Sequence, residues 1–504
     1  MARYRNKMNR FIVFVFLLFI AIPIAESVRY FKIGRSRGGN LGAPAGDVPD
    51  DLPPALWFIQ KLDHFTPTDK RIWKQRYFVN DQFYDYNNPG PVFLMIGGEG
   101  PADAKWMVKG AWIEYAKFFN ALCIQLEHRY YGASHPTPDV SVKNLQYLSS
   151  NQALADLANF INAVNEKYKF NREVKWFAFG GSYPGSLAAW LRMKYPHLVF
   201  ASISSSGPLR AVVNFMEYYE VVVDALHQKT GSDDCVNMVK EAHKEIENMI
   251  LTNPAELEKE FKLCKPFSQA SKDDIKNFFN SIADDFADIV QYNEDNRMSA
   301  DPKYRNLTIN TVCDILTEPG DKMAYKKLAA FNSIILDKTN QTCMDYDYKN
   351  MIQELRMEKW GPAQEGGRQW MYQTCTEFGF YQTSSGETEV FGNHFDVDFF
   401  IQQCQDIFGK KFNQEFVNKA ADWTNNFYGG LNIPAERIVY VHGSVDPWHA
   451  LGITTTKNNN APAIFIPGTA HCANMYPSSE RDSAALVEAR VEIQQYISSW
   501  IDLP

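Results

Sequence analysis

The chain has 504 residues, of which 45% are hydrophobic and 14% aromatic, enough to bury a large core in one elaborated domain or two to three simpler ones. Its formal net charge of −8 argues against a nucleic-acid partner. The eight cysteines show no CxxC pair and no Cys/His spacing of a zinc site.

Arg3, Arg5, Lys7 and Arg10 precede the apolar run FIVFVFLLFIAIPIA and then Glu26 and Ser27. That order predicts a secretory signal peptide over residues 1–27. The run is short for a membrane anchor and contains Pro23, and no second stretch is long and apolar enough to cross a bilayer. Residues 28–55, rich in Gly and Pro between 38 and 54, read as a leader or pro-segment.

Four short apolar runs follow: PVFLMIGG (91–98), ALCIQLEH (121–128), VKWFAFGG (174–181) and FASISSS (200–206). Each ends in Gly, Ser or charge, the pattern of buried parallel strands. Between the second and third, Ala153, Leu154, Leu157, Phe160, Ile161 and Val164 recur at helical spacing, which completes a βαβ unit. Cys123, inside the second run, reads as a small buried hydrophobe.

The third run leads through Gly180 and Gly181 to Ser182 and straight on into helix-forming residues. A strand, a Gly-flanked serine and a helix are the context of a nucleophile elbow, where a tight turn exposes the serine Oγ. A capping or loop serine is the bland alternative.

Residues 211–430 carry a different pattern, with helical periodicity in pieces such as AHKEIENMI and SKDDIKNFFNSIADDFADIVQY. They also hold six cysteines, at 235, 264, 313, 343, 375 and 404, which read as disulfides in an oxidising compartment. The sequons at Asn306 and Asn340 are glycosylation candidates. An insert of this kind on an α/β sheet caps the carboxyl ends of the strands, where ligands bind.

The strand pattern returns over 431–504 with RIVYVHG, APAIFIPG and a last amphipathic helix around LVEARVEIQQYISSWI. The first of these strands is followed by Asp446 and the second by His471. Chain order Ser, Asp, His on loops after late strands is that of an α/β-hydrolase triad. His442, at a strand end, and His449, close to Asp446 in sequence, are rivals for the base; Asp446 before Pro447 could be a turn residue. A neutral serine hydroxyl needs such a base to attack at physiological pH.

LDHFTPTDKRIWKQRYFVN, FLMIGGEGP, LEHRYYGASHP, NLQYLSSNQALADLANFI, GGSYPGSLAAWLRMKYP, HGSVDPW and GTAHC, in this order, resemble the serine peptidase family that includes prolyl carboxypeptidase, dipeptidyl peptidase II and thymus-specific serine protease. The His471-Cys472 pair is most similar to the thymus-specific branch. The resemblance implies an α/β-hydrolase fold with a helical, disulfide-bearing cap inserted between nucleophile and acid, and Ser182, Asp446 and His471 as the triad. It also implies the disulfides Cys235–Cys313, Cys264–Cys343 and Cys375–Cys404; Cys472 is expected to be unpaired, since a disulfide beside His471 would constrain the base. Where the family usually has a second glycine, this chain has Pro184.

On that reading the oxyanion donors are the Tyr183 N–H and the loop around Gly98 and Glu99. The family's proline preference calls for a flat apolar pocket beside the nucleophile. Trp448 is expected as one wall, with Met475 near it. Ser186 stands where the prolyl carboxypeptidase branch has a methionine. The expected activity is hydrolysis of short peptides by an exopeptidase that accepts proline before the scissile bond, with no cofactor, in the secretory pathway, either secreted or lysosomal. Family likeness is also compatible with a homodimer. Fold and triad do not choose between amide and ester, so a carboxylesterase or lipase shares the pattern, as does a binding protein that retained the scaffold.

Overall fold

Val92–Ile96 is apolar and wholly buried, so its backbone groups can be satisfied only by neighbouring strands. A computed structural model places it in the middle of an eight-stranded sheet. The structure describes residues 41–44, 46–47, 49, 51–170, 173–294, 306–320, 322–361 and 366–503. The expected signal peptide and the leader up to residue 40 lie outside the described residues.

In chain order the strands are β1 (Leu56–Lys61), β2 (Ile72–Asn80), β3 (Val92–Ile96), β4 (Leu122–Leu126), β5 (Trp176–Gly181), β6 (Ala201–Ser205), β7 (Val212–Asn214), β8 (Gly379–Tyr381), β9 (Ile438–Gly443) and β10 (Ala463–Ile466). The main sheet runs β1-β2-β4-β3-β5-β6-β9-β10. β2 pairs antiparallel with β1 and β4, and the remaining pairs are parallel. This is the α/β-hydrolase fold.

Alternation along β3 divides the core. Val92, Leu94 and Ile96 face one apolar cluster, Phe93 and Met95 the other. The first face is covered by the helices Ser150–Tyr168 and Tyr183–Lys194, the second by Ala111–Phe119 and Ala484–Ile501. Helices on both faces are what a mostly parallel sheet requires.

Between β6 and β9 the chain leaves the sheet for a helical insert, in which β7 and β8 form a small parallel pair. Its longest helix, Lys272–Gln291, begins with a capping box: Ser271 Oγ accepts from the Asp274 N–H while the Asp274 carboxylate accepts from the Ser271 N–H. Cys235–Cys313, Cys264–Cys343 and Cys375–Cys404 are bonded inside the insert. Cys123 and Cys472 are free and buried. Among the described residues the insert has no core of its own: one apolar cluster runs from Val92 on the sheet through Trp448 to Phe286 and Phe331 in the insert helices. Among the described residues no helix is long and apolar enough to cross a membrane.

Candidate active site

Adjacent strands with a common direction bring their carboxyl ends together, and β5, β6, β9 and β10 are consecutive in the sheet. Ser182 follows β5 and turns sharply, at φ 64° and ψ −134°, into the helix Tyr183–Lys194. Glycines make the turn possible. A Cβ on Gly180 would lie 2.0 Å from the Pro184 carbonyl oxygen, and one on Gly185 would lie 2.5 Å from the Ser205 carbonyl oxygen. Pro184 fits where it stands, because the first turn of a helix needs no N–H from it. Its ring packs on Gly98, where an added Cβ would sit 2.4 Å from Pro184 Cγ. The loop after β3 is thereby held directly against the elbow, and the N–H of Tyr183, first residue of the helix, has no carbonyl one turn earlier within it.

Asp446 follows β9 and His471 follows β10. The His471 Nδ1–H donates to Asp446 Oδ1 at 2.8 Å, with both side chains fully buried. A carboxylate on Nδ1 assigns the proton to that nitrogen and leaves Nε2 basic in the neutral ring. Burial alone would raise the Asp446 pKa, but the charge of His471 and hydrogen bonds from His471 and Ser206 hold it below the usual range. Burial opposes charge on His471 too, yet Asp446 raises its pKa well above the ordinary value. Asp446 also accepts from the Trp448 N–H at 3.0 Å, capping the short turn Pro447–Leu451. The rival histidines stand elsewhere. Burial pushes His442 down to about 4, with its ring against Gly452, and His449 packs on Phe465.

Three groups that sequence reasoning passed over tie this edge together. The Ser182 N–H donates to Ser205 O at 2.9 Å, and the Ser206 N–H to Val441 O at 2.7 Å. Ser206 Oγ accepts from the Cys472 N–H at 2.9 Å, which fixes the chain next to His471. The only available signal was the polar SSS run ending an apolar strand. The third group comes from the insert. Gln291 O accepts from the His471 N–H at 3.0 Å, and Gln291 Oε1 accepts from Tyr218 Oη at 2.6 Å and Trp448 Nε1 at 3.0 Å.

Trp448 stands among Phe215, Tyr218 and Phe380, with ring centroids 5.4 to 5.7 Å away. Two expectations for the pocket are corrected. Met475 is not beside Trp448; it lies in the apolar cluster on the opposite face of the sheet, where a Cβ on Gly181 would come within 2.4 Å of its sulfur. Ser186 does not open toward a pocket, because its hydroxyl donates to Pro208 O at 2.8 Å in the packing of the elbow helix against the turn after β6.

The family model of serine carboxypeptidase S28 matches residues 60–493. The chain belongs to this family of serine peptidases. It is 33% identical to the thymus-specific serine protease of Homo sapiens over 95% of this chain and 92% of the relative. It is 28% identical to the lysosomal Pro-X carboxypeptidase of Mus musculus over 92% of this chain and 93% of the relative. An S28 peptidase acts on peptides, and the disulfides together with the lysosomal relative are consistent with the secretory pathway.

Proposed function

We propose that this S28 peptidase hydrolyses short peptides through a triad of Ser182, His471 and Asp446. The observation that carries the reading is the buried Asp446–His471 pair on the same sheet edge as a serine held at positive φ. His471 Nε2 takes the Ser182 proton as Oγ attacks the carbonyl carbon. Asp446 keeps the imidazole in its tautomer and stabilises the imidazolium. The tetrahedral oxygen is met by the Tyr183 N–H and by the loop at Gly98 and Glu99, which Pro184 holds against the elbow. His471 then gives its proton to the leaving amine, and water attacks the acyl-enzyme by the same route in reverse.

The insert above the strand ends excludes folded proteins and favours trimming at a chain end. The flat wall of Trp448, backed by Phe215, Tyr218 and Phe380, suits proline before the scissile bond, and the Pro-X carboxypeptidase relative supports that preference. Asn306 and Asn340 are exposed, as glycosylation requires, and with the amino-terminal signal pattern they support passage through the secretory pathway.

The test is kcat/KM on short peptides that differ only in Pro, Ala or Leu at that position, beside a long-chain ester, with fluorophosphonate labelling mapped to Ser182. Preference for proline is the expected result. Preference for Leu throughout would remove the proline claim, and turnover of the ester alone would replace the peptidase reading with an esterase.

A further inference from the structure

Tyr183 faces two ways. Its N–H follows Ser182, while its phenol is buried and bonded on three sides. The bonding can be assigned atom by atom. His128 Nδ1 lies 2.7 Å from the Arg129 carbonyl oxygen, which can only accept, so Nδ1 carries the proton. Burial keeps the ring neutral by pushing His128 down to about 4, which makes Nε2 an acceptor. The Tyr183 O–H therefore donates to His128 Nε2 at 3.1 Å. Its oxygen accepts from Gln373 Nε2 at 3.1 Å and from Ser150 Oγ at 3.0 Å.

Gln373 is fixed at both ends of its amide. Oε1 accepts from Tyr131 Oη at 2.6 Å, and Nε2 donates to Glu377 Oε2 at 3.0 Å. Glu377 Oε1 accepts from the Ser150 N–H at 2.8 Å. Both residues belong to the insert: Gln373 ends the helix Gly367–Gln373, and Glu377 lies in the π-helical turn Thr374–Phe378. π-turns concentrate at functional sites. The next strand, β8, carries Phe380 against Trp448. A single stretch of insert thus reaches from the ring of Tyr183 to Trp448.

We propose that Gln373 and Glu377 are positioning residues for the oxyanion side of the site, holding the Tyr183 ring from the insert and, through it, the Tyr183 N–H where the tetrahedral oxygen forms. This rests on the reading of Tyr183 as an oxyanion donor. Glu377 is a buried carboxyl whose hydrogen-bond partners, among the described residues, are all neutral. Apolar side chains would fill the same space without desolvating a carboxyl, whereas a satisfied polar hub selects one orientation of the ring.

The experiment compares Gln373→Leu, Glu377→Gln and Tyr131→Phe with wild type, each checked for thermal unfolding. Gln373→Leu should lower kcat about 10- to 100-fold with KM within about twofold, since a displaced donor costs less than a deleted one. A peptide aldehyde, which forms a tetrahedral adduct with the nucleophile, should weaken by the same factor as kcat. A substrate-like peptide inhibitor that forms no adduct should bind unchanged. Glu377→Gln should follow in the same sense, and Tyr131→Phe, which frees only one end of the amide, should lie between them and wild type. If Gln373→Leu does not fold, the two milder variants carry the same comparison. Wild-type kcat in folded variants, or equal weakening of aldehyde and ground-state inhibitor, would overturn the proposal. Activity in Ser182→Ala would instead overturn the catalytic reading beneath it; a dead Ser182→Ala beside an unaffected Gln373→Leu would sink the positioning role alone.

Discussion

The strand ends and the insert meet at His471, and they are built over very different distances along the chain. Ser182, Ser206, Asp446 and His471 each lie within a few residues of the end of a strand, and consecutive strands set them side by side. The insert reaches the same place by long-range contacts: Gln291 meets Trp448 across 157 residues, and Gln373 meets Tyr183 across 190. On the proposed mechanism the sheet edge carries the reacting atoms, and the insert carries what orients them. The two should therefore fail differently, the sheet edge losing chemistry outright at constant stability, and the insert losing stability together with either substrate handling, at Gln291, or part of the alignment of the site, at Gln373.

The largest effect is expected on the sheet edge. Ser182→Ala should lower kcat about a million-fold, with His471→Ala close behind, because members of a triad act as one unit. Thermal unfolding should stay in place for Ser182→Ala. Stopped assays on purified, folded protein check this, and residual activity near wild type would break the division of labour at its root.

The insert should respond in stability. Gln291→Leu takes an acceptor from the Tyr218 O–H and the Trp448 Nε1–H, both buried. At about 1–3 kcal/mol for each stranded donor, a total loss of about 3 kcal/mol is expected in denaturant unfolding. KM should rise more than kcat falls, since the bond from the His471 N–H goes to the backbone of residue 291 and survives the substitution. Gln291→Glu keeps the acceptor and should recover most of the stability.

This contrast also marks what the sequence made legible. Apolar runs announced β3 to β6, β9 and β10, and the spacing of Leu154, Leu157 and Ile161 announced the helix Ser150–Tyr168, because burial of those residues follows their period. The first two strands carry no such signal. Gln60 on β1 and Gln75 on β2 are buried, and Gln60 Nε2 donates to Gln75 Oε1 at 3.0 Å while Gln75 Nε2 donates to Glu127 O at 2.7 Å. Polar residues at inward positions blur the alternation that would have revealed these strands. Met475, expected near Trp448, packs in the other apolar cluster, because the sheet runs between the two. Gln291, Gln373 and Glu377 have no local pattern at all, since their partners lie far along the chain.

A pH titration sharpens the comparison further. Burial raises the Glu377 carboxyl to about 7. A carboxyl raised on folding binds its proton more tightly in the folded state, so its contribution is full below about pH 4.5 and fades as pH rises through 7. The stability difference between wild type and Glu377→Gln should shrink by about 2 kcal/mol between pH 5 and pH 7. Buried His128, His243 and His442, each pushed down to about 4, act in the other direction, losing stability as pH falls from 6.5. They are common to both proteins, so the difference isolates Glu377. An unchanged difference across that range would mean that its carboxyl titrates as it does in water.

The smallest effect has the opposite sign and tests where strain is stored. Ser182, Ser206 and Cys472 all have positive φ without being glycine, at 64°, 49° and 58°, and all three lie past the ends of strands at the proposed site. Ser182, with ψ at −134°, is close to a region that only glycine occupies freely, and holding a side chain there costs about 1–3 kcal/mol. Ser182→Gly should relieve that strain, offset by the added freedom of glycine in the unfolded chain, about 0.4–1 kcal/mol. A net gain of about 1 kcal/mol is expected, read as a higher unfolding midpoint. Ser182→Ala keeps the Cβ and should show no such gain, although both variants lose the hydroxyl and with it turnover. Two inactive proteins that differ in stability would locate the strain in the elbow itself, where the nucleophile is held out of the helix that follows. Equal midpoints would show that the strain is no larger than the entropic offset of glycine, about 0.4–1 kcal/mol.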